Sequence, residues 1–135
     1  MTFEKISVGL KNSAEAIVEV EDTAKAVGSG SLEVLASPKM FALIEKAAAD
    51  LLEKNLPQEF TSVGTLLNVE HIAPTPVGMK FSAEVEIISV EGRKIIFEVT
   101  ASDEVEKIGR GSHERFIVGR EKFLSKANAK LTANS

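Results

Sequence analysis

Residues 37–54, S-P-K-M-F-A-L-I-E-K-A-A-A-D-L-L-E-K, are the only long stretch of the chain with the periodicity of an amphipathic helix. Serine followed by proline marks its start, because a serine side chain can cap free N–H groups and proline at the first helical position loses no hydrogen bond. The stretch predicts a rod of about 26 Å with one apolar face and one charged face. The apolar face carries Met40, Leu43, Ile44, Ala47, Ala48, Leu51 and Leu52.

The sequence after this helix alternates apolar and polar residues in segments separated by turns, which predicts an antiparallel meander. Before the helix, we expect extended segments at 3–10 and 14–20 around a polar turn at 11–13, then a glycine-containing loop at 21–31 suited to act as a lid. The predicted fold is α+β, with a curved antiparallel sheet of about five or six strands wrapped around the one long helix. The segments after the helix are residues 61–72, 79–90, 93–103 and 108–119.

The chain length of 135 residues predicts a single domain, residues 1–135, with its core at about 3–120 and a polar tail at 121–135. The absence of cysteine excludes a disulfide scaffold, a zinc–thiolate site and a cysteine nucleophile. An open sheet leaves an unpaired edge or face, and pairing across a two-fold axis would cover it. We therefore expect a homodimer.

Charge and hydropathy exclude two classes of partner. The net charge is −4, with both signs interspersed and no basic block, so nucleic acid is not an expected partner. No apolar run approaches the roughly 18 residues needed to span a bilayer, and the N-terminus lacks the basic-then-apolar plan of a signal peptide. We expect a cytoplasmic protein that does not bind membranes.

Three polar residues are candidates for chemistry: Ser37 at the helix start, Glu45 at the border of the apolar helix face, and His71 on the apolar face of the next strand. A carboxylate and an imidazole together can activate water or relay a proton. The helix N-terminus favours negative charge, so the Ser37 hydroxyl and nearby amides could hold a carbonyl oxygen.

Each candidate also has a purely structural interpretation. Glu45 could be a border residue that reaches solvent, Ser37 a plain N-cap, and His71 a hydrogen-bonded core or interface histidine. Spacing limits the mechanism as well, because Ser37 and Glu45 lie about 12 Å apart along a regular helix. We therefore expect Glu45 and His71 to act as a pair, with Ser37 holding substrate or water.

Three blocks of sequence together resemble the hotdog-fold thioesterases related to the fluoroacetyl-CoA-specific enzyme, over roughly residues 34–118. The blocks are A-S-P-K-M-F-A-L-I-E-K-A-A, S-V-G-T-L-L-N-V-E-H-I-A-P-T-P-V-G and G-S-H-E-R-F. The resemblance implies a hotdog fold and the hydrolysis of an acyl-CoA thioester by a Thr, Glu and His, here Ser37, Glu45 and His71. It also implies that Gly64 and Arg115 bind substrate. No metal or other cofactor is implied, because coenzyme A enters as part of the substrate.

Several alternatives stay open beside this resemblance. Gly64 could be a bulge residue, and Arg115 could form a cross-strand ion pair on the surface. Serine replaces the family's threonine at position 37, which keeps the hydroxyl but loses a methyl group that stiffens the rotamer. A short-chain acyl-CoA hydrolase is the first hypothesis, and a non-catalytic acyl-CoA-binding or dimeric scaffold protein is the second. A hydratase or dehydratase ranks last, because its Asp-and-His arrangement has no clear match around His71 or His113.

Overall fold

The computed structural model describes residues 3–133. The elements follow one another as β1 (Lys11–Ile17), α1 (Ala24–Val27), α2 (Ser37–Glu53), β2 (Phe60–His71), β3 (Lys80–Glu91), β4 (Lys94–Asp103), β5 (Lys107–Gly119), α3 (Arg120–Asn128) and α4 (Lys130–Ala133). The five strands form one antiparallel sheet in the order β1-β3-β4-β5-β2. Strands β1 and β2 are therefore the two edges. No helix among residues 3–133 is long and apolar enough to cross a membrane.

The long helix α2 packs its predicted apolar face against the sheet. All seven residues of that face are buried, and they join the inner faces of β3 and β4 in one core. Burial of one large aliphatic or aromatic side chain contributes about 1.5–3 kcal/mol, so this face holds the helix on the sheet. The strand residues that alternation in β3 and β4 predicts for the core are buried there, namely Phe81, Ala83, Val85, Ile87, Ile95, Phe97 and Val99. The core also contains Ala101 of β4 and two residues of β5, Ile108 and Ile117.

The N-terminal part of the prediction is wrong. Residues 3–10 contain turns and no strand, and the polar segment predicted as a turn begins β1 instead. Gly9 has a φ of 98°, which turns the chain before the strand. Lys11 then pairs with Glu86 of β3, and the Asn12 side chain donates a hydrogen bond to the carbonyl of Ala47 in α2. These partners lie far away in sequence, so local residue type gave a misleading signal.

The connection between β1 and α2 passes over the start of the long helix. Its short helix α1 is capped by the Thr23 hydroxyl, which accepts a hydrogen bond from Ala26 N–H. Two isolated bridges, Thr23 with Leu35 and Val34 with Pro76, bind this connection to itself and to the loop after β2. The predicted polar tail is helical over α3 and α4, and its residues 134–135 lie outside the described residues.

Candidate active site

The hydroxyl of Ser37 and the imidazole of His71 form a direct hydrogen bond, with 2.7 Å between Oγ and Nδ1. Ser37 is the first residue of α2, and His71 is the last residue of β2. The N-cap position belongs to Ala36, which offers no side-chain cap. The interpretation of Ser37 as a plain N-cap is therefore wrong, and its hydroxyl is committed to the histidine.

His71 is held as a neutral base in this pair. Burial lowers its pKa from the usual 6.5, and the backbone of Ala73 only partly opposes that shift. Its Nε2 atom is buried and has no hydrogen-bond partner among residues 3–133. An unpaired buried nitrogen costs free energy, as expected for a group whose partner is supplied by substrate or by another chain.

A pocket opens beside this pair. It has a volume of about 390 Å³ and is lined by small and apolar residues, among them Ala24, Leu35 and Pro74, together with Ser37 and His71. It lies where the β1–α2 connection meets the loop after β2. The predicted lid loop thus lines the pocket that contains the hydroxyl–imidazole pair.

Glu45 lies in a second group, with Gly64 and Arg115. Its Oε2 atom is 4.0 Å from Nη1 of Arg115, and the carboxylate side chain is 47% exposed. A Cβ atom placed on Gly64 would come within 2.9 Å of Oε2 of Glu45 and 3.3 Å of Nη1 of Arg115. Glycine is therefore required for the close approach of β2 to this carboxylate and guanidinium.

Arg115 is 6% exposed, so its interpretation as a surface ion-pair residue is wrong. Its Nε donates to the hydroxyl of Ser62 at 2.8 Å, and Nη2 donates to the Ser62 carbonyl at 3.1 Å. Nη1 lies 3.3 Å from Nε2 of His113, which is also buried. Burial lowers the pKa of Arg115, while Glu45 favours its charged form. Ser62 and His113 are not among the residues predicted for the site, although both lie within the blocks that carry the family resemblance.

A β-bulge in β2 accounts for the position of Gly64. The pairing register with β5 shifts between Gly64 and Leu66, and the intervening Thr65 hydroxyl donates to the carbonyl of Glu114 at 3.2 Å. One extra residue reverses which face the following residues occupy. Gly64 and His71 consequently both face the helix, although strict alternation from His71 would place Gly64 on the opposite face. Gly64 is therefore part of a bulge, and its role in binding substrate stays a prediction.

The two groups are separate within one chain. Ser37 and Glu45 are eight residues apart on α2, a rise of about 12 Å. His71 bonds to Ser37, whereas the carboxylate of Glu45 faces Arg115. The predicted contact between Glu45 and His71 is therefore not formed in a single chain. No group of three or more His, Cys, Asp or Glu side chains in the described residues could hold a metal ion.

Comparisons with known proteins select one family. Residues 18–121 match a family model described as fluoroacetyl-CoA-specific thioesterase. The fluoroacetyl-CoA thioesterase of Streptantibioticus cattleyicolor is 39% identical over 101 residues, which is 75% of this chain and 73% of that protein.

Solved structures agree with this match. A structure of a fluoroacetyl-CoA thioesterase superposes with a TM-score of 0.86 at 32% identity, covering 93% of this chain and 97% of that one. A variant of that enzyme in complex with acetyl-CoA gives 0.87 at 34% identity, covering 93% and 98%. A hot-dog-like protein from Thermanaerovibrio acidaminovorans gives 0.87 at 24% identity, covering 96% and 97%, which bears on the fold alone. The predicted curved sheet around a long helix is thereby confirmed.

Proposed function

Because this chain belongs to the family of fluoroacetyl-CoA-specific thioesterases, it is a hydrolase of acyl-CoA thioesters, and we propose that its substrates are short-chain acyl-CoAs. The acyl groups named for its relatives support a short chain, because one relative is a fluoroacetyl-CoA thioesterase and a solved variant is in complex with acetyl-CoA. Coenzyme A enters as part of the substrate, and no metal or other cofactor takes part. Fluoroacetyl-CoA is one member of this substrate class. The expected cytoplasmic location stays a prediction.

Ser37, Glu45 and His71 are the proposed catalytic residues. One observation carries this assignment: the same helix and strand present a hydroxyl–imidazole pair at one end and a carboxylate beside a buried guanidinium at the other. The neutral imidazole can accept or relay a proton, and the half-exposed carboxylate can act on water or on the thioester. Gly64 and Arg115 are the proposed substrate-binding residues, because an N–H group and a guanidinium can stabilise the negative charge that develops on the carbonyl oxygen.

The same observation supports the homodimer. Strand β2 is an edge of the sheet, and both Gly64 and Glu45 are exposed in the single chain. If β2 pairs antiparallel with its copy across a two-fold axis, the end that carries Gly64 lies beside the end that carries the partner's His71. Such a dimer would join the Glu45 group of one chain to the Ser37–His71 pair of the other. Two complete sites would result, each shared between the chains.

The proposed reaction is hydrolysis in which water supplies the oxygen of the product. In one route Glu45 removes a proton from a water molecule while that water attacks the thioester carbon. In the other route the Glu45 carboxylate attacks the thioester carbon and forms a mixed anhydride, which water then hydrolyses. The C–S bond breaks, the thiolate of coenzyme A takes a proton through His71, and a free acid leaves. Ser37 holds His71 in position through their hydrogen bond, and its hydroxyl proton is available to the carbonyl oxygen when Nδ1 of His71 is the donor in that bond.

Thiol release from a panel of acyl-CoAs tests this function. The panel runs from acetyl to medium chain and includes fluoroacetyl. Glu45→Ala and His71→Ala are expected to lose turnover by at least about 100-fold, the contribution of a positioned acid or base. Asp50→Ala is the matched control, because Asp50 is an exposed carboxylate of the same helix, five residues on, that forms an ion pair with Lys46.

Two results would reject the proposal in different ways. Acyl-CoA binding without thiol release above that of Glu45→Ala would favour the second hypothesis, a non-catalytic acyl-CoA-binding protein. Thiol release that is fastest with medium-chain substrates would keep the thioesterase assignment and reject the short-chain specificity.

A further inference from the structure

His113 is a buried polar residue to which the proposed reaction assigns no part. It lies in the middle of β5 with 1% of its surface exposed, and its ring stacks on Phe97 of β4 at a centroid distance of 6.0 Å. Both ring nitrogens have partners: Nδ1 lies 2.8 Å from the carbonyl oxygen of Leu66, and Nε2 lies 3.3 Å from Nη1 of Arg115. The ring therefore links the bulged strand β2 to the guanidinium of the candidate site.

These partners determine the protonation state of the ring. A carbonyl oxygen can only accept, so Nδ1 carries the proton and donates to Leu66. A guanidinium can only donate, so Nε2 is an unprotonated acceptor for Arg115. A doubly protonated ring would direct an N–H group at an N–H group of Arg115. Burial and the positive charge of Arg115 lower the pKa of His113, against the opposing effects of the Leu66 carbonyl and of the Glu45 and Glu114 carboxylates.

We propose that His113 is a positioning residue for the reaction: its unprotonated Nε2 holds the Arg115 guanidinium beside Glu45 without allowing the two charges to close on one another. This inference rests on the proposed function, because it matters only if Glu45 and Arg115 contact the substrate. It adds a residue that does not itself touch the reacting atoms.

The distances support this role. Nε and Nη2 of the guanidinium are anchored on Ser62, and Nη1, the atom that faces Glu45, lies 3.3 Å from Nε2 of His113. Its separation from the carboxylate, 4.0 Å, exceeds that of a hydrogen bond. Without its contact to Nε2, Nη1 would be attracted to the carboxylate and could close on it as a charge-assisted hydrogen bond at about 2.8 Å. Such a pair would occupy the lone pairs of Glu45 and the N–H groups of Arg115 that the substrate needs.

Two substitutions separate positioning from packing. In His113→Phe an aromatic ring that can stack on Phe97 is kept, but the acceptor for Arg115 and the donor to the Leu66 carbonyl are both lost. In His113→Gln the stacking is lost, but an amide oxygen that reaches about as far as Nε2 is supplied. Ile87→Val is the control for a small loss of core stability, because Ile87 is fully buried but has no part in the site.

Steady-state thiol release with the best short-chain substrate gives the result. We expect His113→Phe to lower kcat/KM at least about tenfold, the effect of one charge-assisted hydrogen bond, and His113→Gln to restore part of that loss despite its poorer packing. Equal activity of His113→Phe and wild type, or equally low activity of both His113 variants at equal folded fraction, would overturn the proposal. If wild type itself releases no thiol, the proposed function fails first, so the two failures are distinguishable.

Nitrogen-15 NMR of the histidine ring tests the contact independently of activity. The wild-type protein at pH 7 should show His113 as the neutral tautomer with the proton on Nδ1, and the Nε2 resonance should shift in Arg115→Lys. A proton on Nε2 at pH 7, or an Nε2 chemical shift that is the same in Arg115→Lys and wild type, would contradict the proposed contact.

Discussion

Replacement of Gly64 by alanine adds a single methyl group at the point where the chain approaches the candidate carboxylate. The backbone tolerates this change, because Gly64 is not among the described glycines with positive φ. The new Cβ would lie 2.9 Å from Oε2 of Glu45, and 3.3 Å from both Nη1 of Arg115 and Cε1 of His113. Ordinary van der Waals contact begins at about 3.4 Å, so the carboxylate must move by about 0.5 Å or more.

The fold should tolerate that movement better than the chemistry does. Oε2 is the far end of a flexible side chain that is 47% exposed, so Glu45 can rotate away at little cost in the free energy of unfolding. Catalytic groups need their geometry to within about 0.5 Å, and an error of 1 Å can cost about 100-fold in rate. We expect Gly64→Ala to lower kcat/KM by about 10- to 100-fold, which corresponds to about 1.4–2.7 kcal/mol of transition-state stabilisation.

Thiol release and thermal unfolding, measured on the same preparation, separate the two effects. Gly64→Ala should unfold within a few degrees of wild type, since a loss of less than about 1 kcal/mol shifts the midpoint by only about 2–6 °C in a domain of this size. Gly119→Ala is the matched control. Gly119 lies on β5 at the end of the pairing between β2 and β5, and the nearest described atom to its Cβ would be Cβ of Lys122, at an ordinary contact distance of 3.8 Å. It should keep both activity and stability.

Activity of Gly64→Ala within twofold of wild type would refute this reasoning. So would a loss of activity that only follows the unfolded fraction, because the methyl group would then act on the fold and not on the position of Glu45.

Three further predictions test other parts of the structure. Ser37→Ala should lower kcat/KM at least about tenfold by freeing His71, and Ser37→Thr, which keeps the hydroxyl, should restore it; equal activity of all three proteins would exclude this role. Gly111→Ala should abolish folding, as judged by circular dichroism, because its Cβ would lie 2.0 Å from the Asn68 carbonyl at a φ of 155°. The folded-state pKa values of His71 and His113 lie below 6.5, so the unfolded chain takes up protons first as pH falls. The free energy of unfolding should therefore decrease at pH values under about 6.5, by at most about 1.4 kcal/mol per pH unit for each histidine. Denaturant titrations at a series of pH values should show the full free energy of unfolding above about pH 6.5. In His113→Phe the free energy of unfolding should fall less steeply with falling pH, and an unchanged pH dependence would contradict a neutral buried His113.

Local periodicity was sufficient for the main architecture of the chain. The 3.6-residue repeat of α2 and the alternation in β3 and β4 each reflect burial of one face, so they identified those elements and their core residues directly. The segment before β1 lacks this signal. Its conformation depends on Ile6, which is buried in the core, and on the pairing of Lys11 with Glu86, and neither contact is visible in the local sequence.

The candidate site was predictable in composition but not in arrangement. Helical spacing correctly indicated that Ser37 and Glu45 are too far apart to bond to each other. It could not show that His71 bonds to Ser37, because the pairing depends on how the end of β2 meets the start of α2. The bulge after Gly64 reverses the alternation of β2, and His113 gains its role only from its neighbours on β2 and β4. Such contacts arise from register and packing between elements.

Mixing two inactive variants tests most directly whether the site is shared between two chains. Glu45→Ala and His71→Ala, unfolded together and refolded, should recover about a quarter of wild-type thiol release, since half of the random dimers are mixed and each has one complete site. A mixture of Ser37→Ala with His71→Ala is the negative control, because both residues lie in the same half of the site. Recovery in the first mixture alone is the predicted result. No recovery in a first mixture that has formed mixed dimers would contradict the shared site and place the reaction within a single chain.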